Sequence, residues 1–408
     1  MAGLVKHYQN SMKGIPQLTN NWGAMITLLD AVLITGFNHV PVLALSKSSA
    51  TAITATINLG SGHGFIDRQV VRITGSTNGW DGDYKVLSAD TNTITVECTA
   101  EHPFTLNGTA TCFTAPLDFE IVHQSPVEST EPKRAYRSTD PESLGLILLV
   151  HDFCVSGAAT TGAKFAKVGV VSSMSDIDTI TGNQIPYNPV EPSANWGWDG
   201  TNHGWSKWYY RAANGNSSDA WAAPEGDSKF YFVGDSLDFA YIANIPNQEA
   251  AGGFFTIDDA RFGGKNGLLI ASNIPVRLSQ NITLQLYARS PFSITSYPES
   301  YPSYGGSYVS GCLFYQNTGD VASLELLSRM PMFSLNVGGG SVDGGDVPVL
   351  FDMPAITRNW EPISAIPFFK IGILKTGMFT TSSGKVVCRK NRNNNDVDEI
   401  IGIALEVK

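Results

Sequence analysis

Charge is scarce in this chain. Only 16% of its 408 residues are Asp, Glu, Lys or Arg, against about a quarter in an ordinary soluble domain. The charge that is present leans negative, with 37 acidic and 27 basic side chains and a net charge of −10. That sign excludes nucleic acid as a main partner, because gripping a phosphate backbone needs a basic surface. The one basic cluster, Cys388-Arg389-Lys390-Asn391-Arg392, is followed at once by Asp396, Asp398 and Glu399 and reads as a solvated turn. Cysteine is also sparse: Cys98, Cys112, Cys154, Cys312 and Cys388 are an odd set at wide spacing, which excludes a disulfide scaffold and a zinc site. Cys98 and Cys112 flank the loop 99–108, and a hairpin centred on Thr105 would set them opposite each other as reduced neighbours in a cytosol. No run approaches the roughly 18 consecutive apolar residues of a membrane span. No secretory signal follows Met1, so the expectation is a chain made in the cytosol without membrane insertion.

Catalytic signatures are missing as well. There is no G-x-S-x-G elbow, and Gly340-Ser341-Val342-Asp343-Gly344 lacks the strand-to-helix context such an elbow needs. The Gly-rich loop 338–345 has neither the lysine nor the following helix of a phosphate-binding loop. The seven histidines are scattered singly, which leaves no metal-binding pair, and no cofactor is expected. Carboxylate pairs do occur at Asp81/Asp83, Asp176/Asp178, Asp235/Asp238 and Asp258/Asp259. A glycosidase needs two such groups facing across a sugar, and nothing in the spacing shows which pair converges. Asp176-Ile177-Asp178 lacks the closing acidic residue of a calcium loop and reads as a turn. The expectation is a protein that is not an enzyme.

What the chain has is β-structure. Residues 49–113 contain Ala52-Ile53-Thr54-Ala55-Thr56-Ile57, Gln69-Val70-Val71-Arg72-Ile73, Tyr84-Lys85-Val86-Leu87, Ile94-Thr95-Val96-Glu97-Cys98 and Thr109-Ala110-Thr111-Cys112-Phe113. Each run is short, β-branched and alternating, and Gly, Asn and Asp turns separate them. They predict a compact small β-domain inserted between an arm-plus-helix segment, 1–48, and a β-rich main body, 114–408, which has a possible break near 290–307. Residues 1–20 lack periodicity and read as an extended arm. Trp22, Met25, Ile26, Leu29, Leu33 and Ile34 follow helical spacing, with Asn20 or Asn21 as N-cap and Gly36 as the stop. This helix is apolar nearly all round, so either its own fold or a neighbour must cover it.

In the body, Leu144 to Val150 predicts a central strand, continued by Lys167 to Val171. Five of the eight tryptophans fall between Trp196 and Trp221. Lys207 to Arg211 and Lys229 to Val233 read as paired strands around the loop carrying Trp221. The cluster with Trp205, Trp208, Tyr210 and Trp221 suits a buried core, a subunit interface or a sugar-stacking platform. The fold class is mainly β: a sandwich- or barrel-like body, one short N-terminal helix and the inserted small β-domain.

These landmarks together resemble a family of tailed-bacteriophage virion proteins. They are the opening Val5-Lys6-His7-Tyr8-Gln9-Asn10-Ser11-Met12-Lys13-Gly14-Ile15-Pro16, the helix Leu28 to Phe37, the small β-insert, Arg134-Ala135-Tyr136-Arg137-Ser138, and the aromatic run Gly226 to Phe232 with Trp221. The resemblance implies a structural part of the tail, baseplate or neck region, located in the virion and forming homo-oligomers with other virion proteins as partners. The alternatives are a receptor- or carbohydrate-binding tail adhesin that meets a host surface glycan, and a capsid-decoration or collar protein. On the first reading the arm and helix grip neighbouring subunits through Leu4, Val5, Tyr8, Met12, Ile15, Leu18, Trp22, Met25, Leu29 and Leu33. The competing expectation is that the arm folds back over its own body.

Overall fold

The computed structural model describes residues 4–154, 158–182, 184–185, 206–211, 221–245 and 248–259, and beyond these the strands named below together with Ala271. The chain is mainly β, built from several antiparallel sheets with one short helical element among the described residues. The first strand is β1 (Lys6–Gln9). The helix α1 (Ala24–Leu29) follows it and passes directly into a π-helical segment (Asp30–Thr35). Gly36 ends the helix as the sequence predicts, at φ 66°. A Cβ there would lie 2.3 Å from the Thr114 carbonyl oxygen, so both the backbone angle and the packing demand glycine.

The small β-unit starts earlier than its sequence pattern suggests. Its sheet comprises β2 (Phe37–Pro41), β3 (Ala44–Lys47), β4 (Thr54–Asn58), β5 (Val70–Ser76), β6 (Gly82–Ala89), β7 (Thr93–Glu97) and β8 (Gly108–Thr114), in the order β2-β8-β5-β6-β7-β4-β3. The stretch 37–47, which its sequence pattern groups with the arm and helix, therefore supplies two of the seven strands. Short runs such as Phe-Asn-His-Val-Pro carry too little alternation to register as strand; their pairing with β8 and β4 makes them so. Alternate residues turn inward: Ala55 and Ile57 on β4, Ile94 and Val96 on β7, Val71 and Ile73 on β5. Around the buried Trp80 they form a core separate from that of the body. The buried Lys47 ammonium ties the loops at one end, donating to the carbonyls of Ala50, Thr99, Ala100 and His102 at 2.9–3.1 Å. The expected hairpin bringing Cys98 to Cys112 does not form. β7 pairs with β4 and β6, while β8 pairs with β2 and β5, and both thiols are free.

Two open sheets make the body. One contains β9 (Phe119–Gln124), β10 (Lys133–Ser138), β11 (Ile147–His151), β12 (Phe165–Val171) and β15 (Gln184–Ile185), in the order β15-β12-β11-β10-β9, with β16 (Ser206–Tyr209) also on β12. A hairpin of β13 (Met174–Asp176) and β14 (Thr179–Ile180) stands beside it. As predicted, β11 is central and buried on both faces. Leu148 and Val150 face the main core, and Ile147 and Leu149 join a smaller cluster with Ala135 and Val171.

The second sheet runs β1-β17-β18-β19-β20-β23-β24. It adds β17 (Lys229–Gly234), β18 (Phe239–Ile245), β19 (Gln248–Asp259), β20 (Gly264–Ile270), β23 (Tyr308–Phe314) and β24 (Leu327–Arg329). The two sheets stack through aromatic edges. Trp208 meets Phe239 and Tyr241 at ring distances of 5.8 and 5.5 Å, and Phe119 meets Phe239 at 5.8 Å, so this part of the body is a sandwich. The strand segments 207–211 and 229–233 are not partners, contrary to the sequence reading: β16 pairs with β12, and β17 with β1 and β18.

The remaining elements are a hairpin of β21 (Pro275–Ser279) with β22 (Ile282–Gln285), and a five-stranded sheet. That sheet contains β25 (Leu350–Ile356), β26 (Pro362–Ile373), β27 (Gly377–Thr381), β28 (Gly384–Lys390) and β29 (Glu399–Ala404), in the order β25-β26-β29-β28-β27. Cys388, Arg389 and Lys390 thus lie on β28 rather than in a turn. The Gly-rich loop 338–345 and the suggested break near 290–307 lie outside the described residues.

Candidate functional site

The arm is built into its own fold. β1 is the edge strand against β17, with Tyr8 opposite Phe232. Tyr8, Met12, Ile15 and Leu18, together with Met25, Leu29 and Leu33 of the helix, are buried in the main core. Seven of the ten side chains assigned to a subunit interface are therefore covered by this chain itself. Val5 and Trp22 are half-buried and Leu4 is exposed. The arm has no hydrophobic period because its residues leave the strand at Gln9 and turn repeatedly, each apolar group filling a different gap.

The helix is capped from a distance. Gly23 occupies the N-cap position with no side-chain cap, so neither Asn20 nor Asn21 serves. Instead the buried Asp152, just after β11, accepts from Met25 N at 2.8 Å and Ile26 N at 3.4 Å, and Tyr210 donates to its other oxygen at 2.9 Å. Burial pushes the Asp152 carboxyl up to about 7, against the opposing pull of these donors. Farther along, Asp30 accepts from Tyr136 at 2.7 Å and Arg134 at 3.2 Å. Burial raises its carboxyl despite both partners.

A second polar cluster, half-buried, forms the seam between the small unit and the body. The Arg72 fork bonds Asp83 at 2.5 and 2.9 Å and Asp118 at 2.6 Å twice. Lys6 pairs with Asp83 at 2.6 Å and Asp118 at 3.5 Å, and donates to the Pro116 carbonyl. Desolvation would raise the Asp118 carboxyl, but Arg72 and Lys6 hold it below its ordinary range. Two cations thus occupy two carboxylates, so the cluster is arranged as a clamp and not as an acid–base pair.

The other predicted sites are dispersed. Trp208 and Tyr210 are fully buried, and the Trp208 indole donates to the Ile270 carbonyl at 2.7 Å. Neither offers a face to a sugar. Trp221 is 62% exposed, and Trp205 lies outside the described residues. Asp81 accepts from Gly75 and Ser76 amides, Asp176 from Asp178, Asp235 from Leu237 and Asp238, and Asp238 from Thr256. These carboxylates shape turns. The Asp258 and Asp259 side chains lie outside the described residues. Among the described residues no group of three or more His, Cys, Asp or Glu is placed to hold a metal, and no helix is long and apolar enough to cross a membrane.

One pocket gathers groups that the sequence reading did not connect. Segments 19–22, 160–162 and 225–227 border an open pocket of about 460 Å³. Backbone bonds lock them together: Ala163 N to Asn20 O at 2.8 Å, Ala223 N to Gly162 O at 2.7 Å and Ser228 N to Leu18 O at 3.0 Å. Three loops, each more than sixty residues from the next, leave no local motif, so no sequence signal marks the site.

No protein-family model matches the chain, and no curated protein is similar to it. Among solved structures, a chain described as "Phage phi92 endosialidase" aligns over 90% of this chain and 70% of its own, at 11% identity and a TM-score of 0.16. A likeness at that level carries no argument about fold or activity.

Proposed function

We propose that this chain is a structural part of a tailed-phage particle, a tail- or neck-region protein that acts by assembling with copies of itself and with other particle proteins. The observation that carries this reading is the small β-unit. It closes a core of its own, is clamped to the body through Arg72, and still leaves Leu43, Ile53, Leu87 and Phe104 exposed. Those are four of the seven large apolar side chains exposed among the described residues. Contact with another surface would cover these side chains and remove their apolar area from water. The resemblance of the opening, helix and insert to virion proteins points the same way, as does the use of the carboxylate pairs in turns and clamps. With the arm folded into the body, assembly contacts fall to the small unit and the outer loops. Mass spectrometry of purified particles is expected to find the chain in stoichiometric amount, and light scattering of the purified protein to find an oligomer. Its absence from the particle would overturn the proposal.

A further inference from the structure

From the chemistry of the pocket at 19–22, 160–162 and 225–227, we infer that it binds a neutral sugar, a function separate from assembly. Its volume of about 460 Å³ lies within the range of small-molecule sites, about 300–1,000 Å³. Its walls are fixed before any ligand arrives: besides the backbone bonds above, Arg211 donates to the Glu225 carbonyl at 2.6 Å, and the Tyr210 hydroxyl that serves Asp152 lies 3.2 Å from the Asn21 carbonyl. Binding would therefore order little chain, which favours affinity.

The lining supplies what a polyol needs. Glu225 and Asp227 present carboxylates that make no ion pair or side-chain hydrogen bond among the described residues, while the Asn21 amide, the Asn20 amide oxygen and the hydroxyls of Thr160 and Thr161 add donors and acceptors. Trp22 contributes an aromatic wall, held edge-on against Phe165 at 5.7 Å. Trp221 stands close by: the next residue, Ala222, packs against Gly162 of the wall, and the indole itself is 62% exposed. An aromatic plane beside clustered polar groups matches a pyranose, whose C–H face stacks while its hydroxyls are bonded.

Charge narrows the ligand. Among the described residues two carboxylates and no lysine or arginine line the pocket, and the buried Arg211 spends its guanidinium on the Glu225 carbonyl behind the wall, so a sialylated or phosphorylated glycan would meet like charge that opposes binding. Neutral hexose or N-acetylhexosamine oligomers fit.

The test uses the full chain, titrated with maltotetraose, chitotetraose and sialyllactose while tryptophan fluorescence and saturation-transfer NMR are followed. At least one neutral oligosaccharide is expected to bind saturably at millimolar concentration or below, and sialyllactose more weakly. Trp221→Ala and the double change Glu225→Gln with Asp227→Asn should each lower the affinity about tenfold or more. All three side chains are exposed, and an unchanged near-UV spectrum would show that the variants fold. The inference fails if neither neutral sugar binds, if binding survives these variants, or if the sialylated sugar binds best. Particle incorporation unaffected by the same variants would leave the assembly reading standing; loss of incorporation without any sugar binding would mark the pocket as a protein contact and overturn the sugar site.

Discussion

Asp152 shows how much one side chain can be asked to do. It sits after an apolar strand, is fully buried, and serves the helix start in place of a local cap. Its carboxyl rises from 3.8 to about 7 through burial, so the folded state holds a proton that the unfolded chain has released between those values. The corresponding stability is fully present below about pH 4 and is lost as pH rises through 7. Asp152→Asn keeps an acceptor for Met25 N but cannot titrate. We expect the gap in thermal midpoint between wild type and this variant to change steadily between pH 4.5 and 7.5, with the wild type losing ground. A pH-independent gap would show that the carboxyl stays ionised throughout. Asp152→Ala is expected to cost about 1–3 kcal/mol near neutral pH, because the helix donors and Tyr210 lose their acceptor, and more toward pH 4.5, where the wild type gains from its bound proton.

At the scale of elements, the arm and helix illustrate an apolar segment covered from within. Tyr8 is wedged between Phe37 and Phe232 at ring distances of 6.1 and 6.0 Å, and its hydroxyl donates to the Ala115 carbonyl at 2.7 Å. We expect Tyr8→Ala to destabilise the protein by about 3–5 kcal/mol, read as a lower urea midpoint, since a large buried ring is lost and a cavity remains. Deleting residues 2–19 removes an edge strand and the core contacts of Tyr8, Met12, Ile15 and Leu18. The truncated chain is expected to lose cooperative unfolding rather than merely to dissociate. A truncated protein that melts like wild type but no longer forms oligomers would restore the arm as a grip on neighbours.

At the scale of the whole molecule, the small unit and the body meet at a narrow neck. The Cβ direction of Gly36 points into the Thr114 carbonyl, and Leu117 N donates to Val32 O at 2.9 Å, so the chain leaves and re-enters the body at one place. Excising 38–114, which keeps Phe37 in the main core against Tyr8, is expected to leave a folded body with its β-signal in circular dichroism intact. Excising 49–113 instead would strand β2 and β3 without partners and is expected to give aggregates. The clamp can be tested in the intact chain. Arg72→Ala leaves Asp83 and Asp118 sharing only Lys6, and should cost about 2–4 kcal/mol, allowing for partial exposure of the guanidinium. Amide exchange is expected to accelerate first along β5 and β6. Arg72→Lys should not restore protection, because a lysine cannot form two forks.

The sequence by itself determined the class of the fold. Alternating β-branched runs mark β4 to β8 and the unbroken apolar run marks β11, because a period of two and a fully apolar strand are local properties. Gly36 was legible as a helix stop for the same reason, since its φ of 66° is a demand made at one residue. Partnership was not legible. β1, β2 and β3 are strands only because β17, β8 and β4 lie beside them, and the aromatic residues Trp208 and Tyr210 became core because a second sheet stacks over them. Asp152 caps a helix 127 residues earlier, Arg72 reaches Asp118 across the neck, and the pocket joins three remote loops. Hydrogen bonds and ion pairs act over a few ångströms whatever the separation along the chain, so tertiary structure alone decided which side chains could meet.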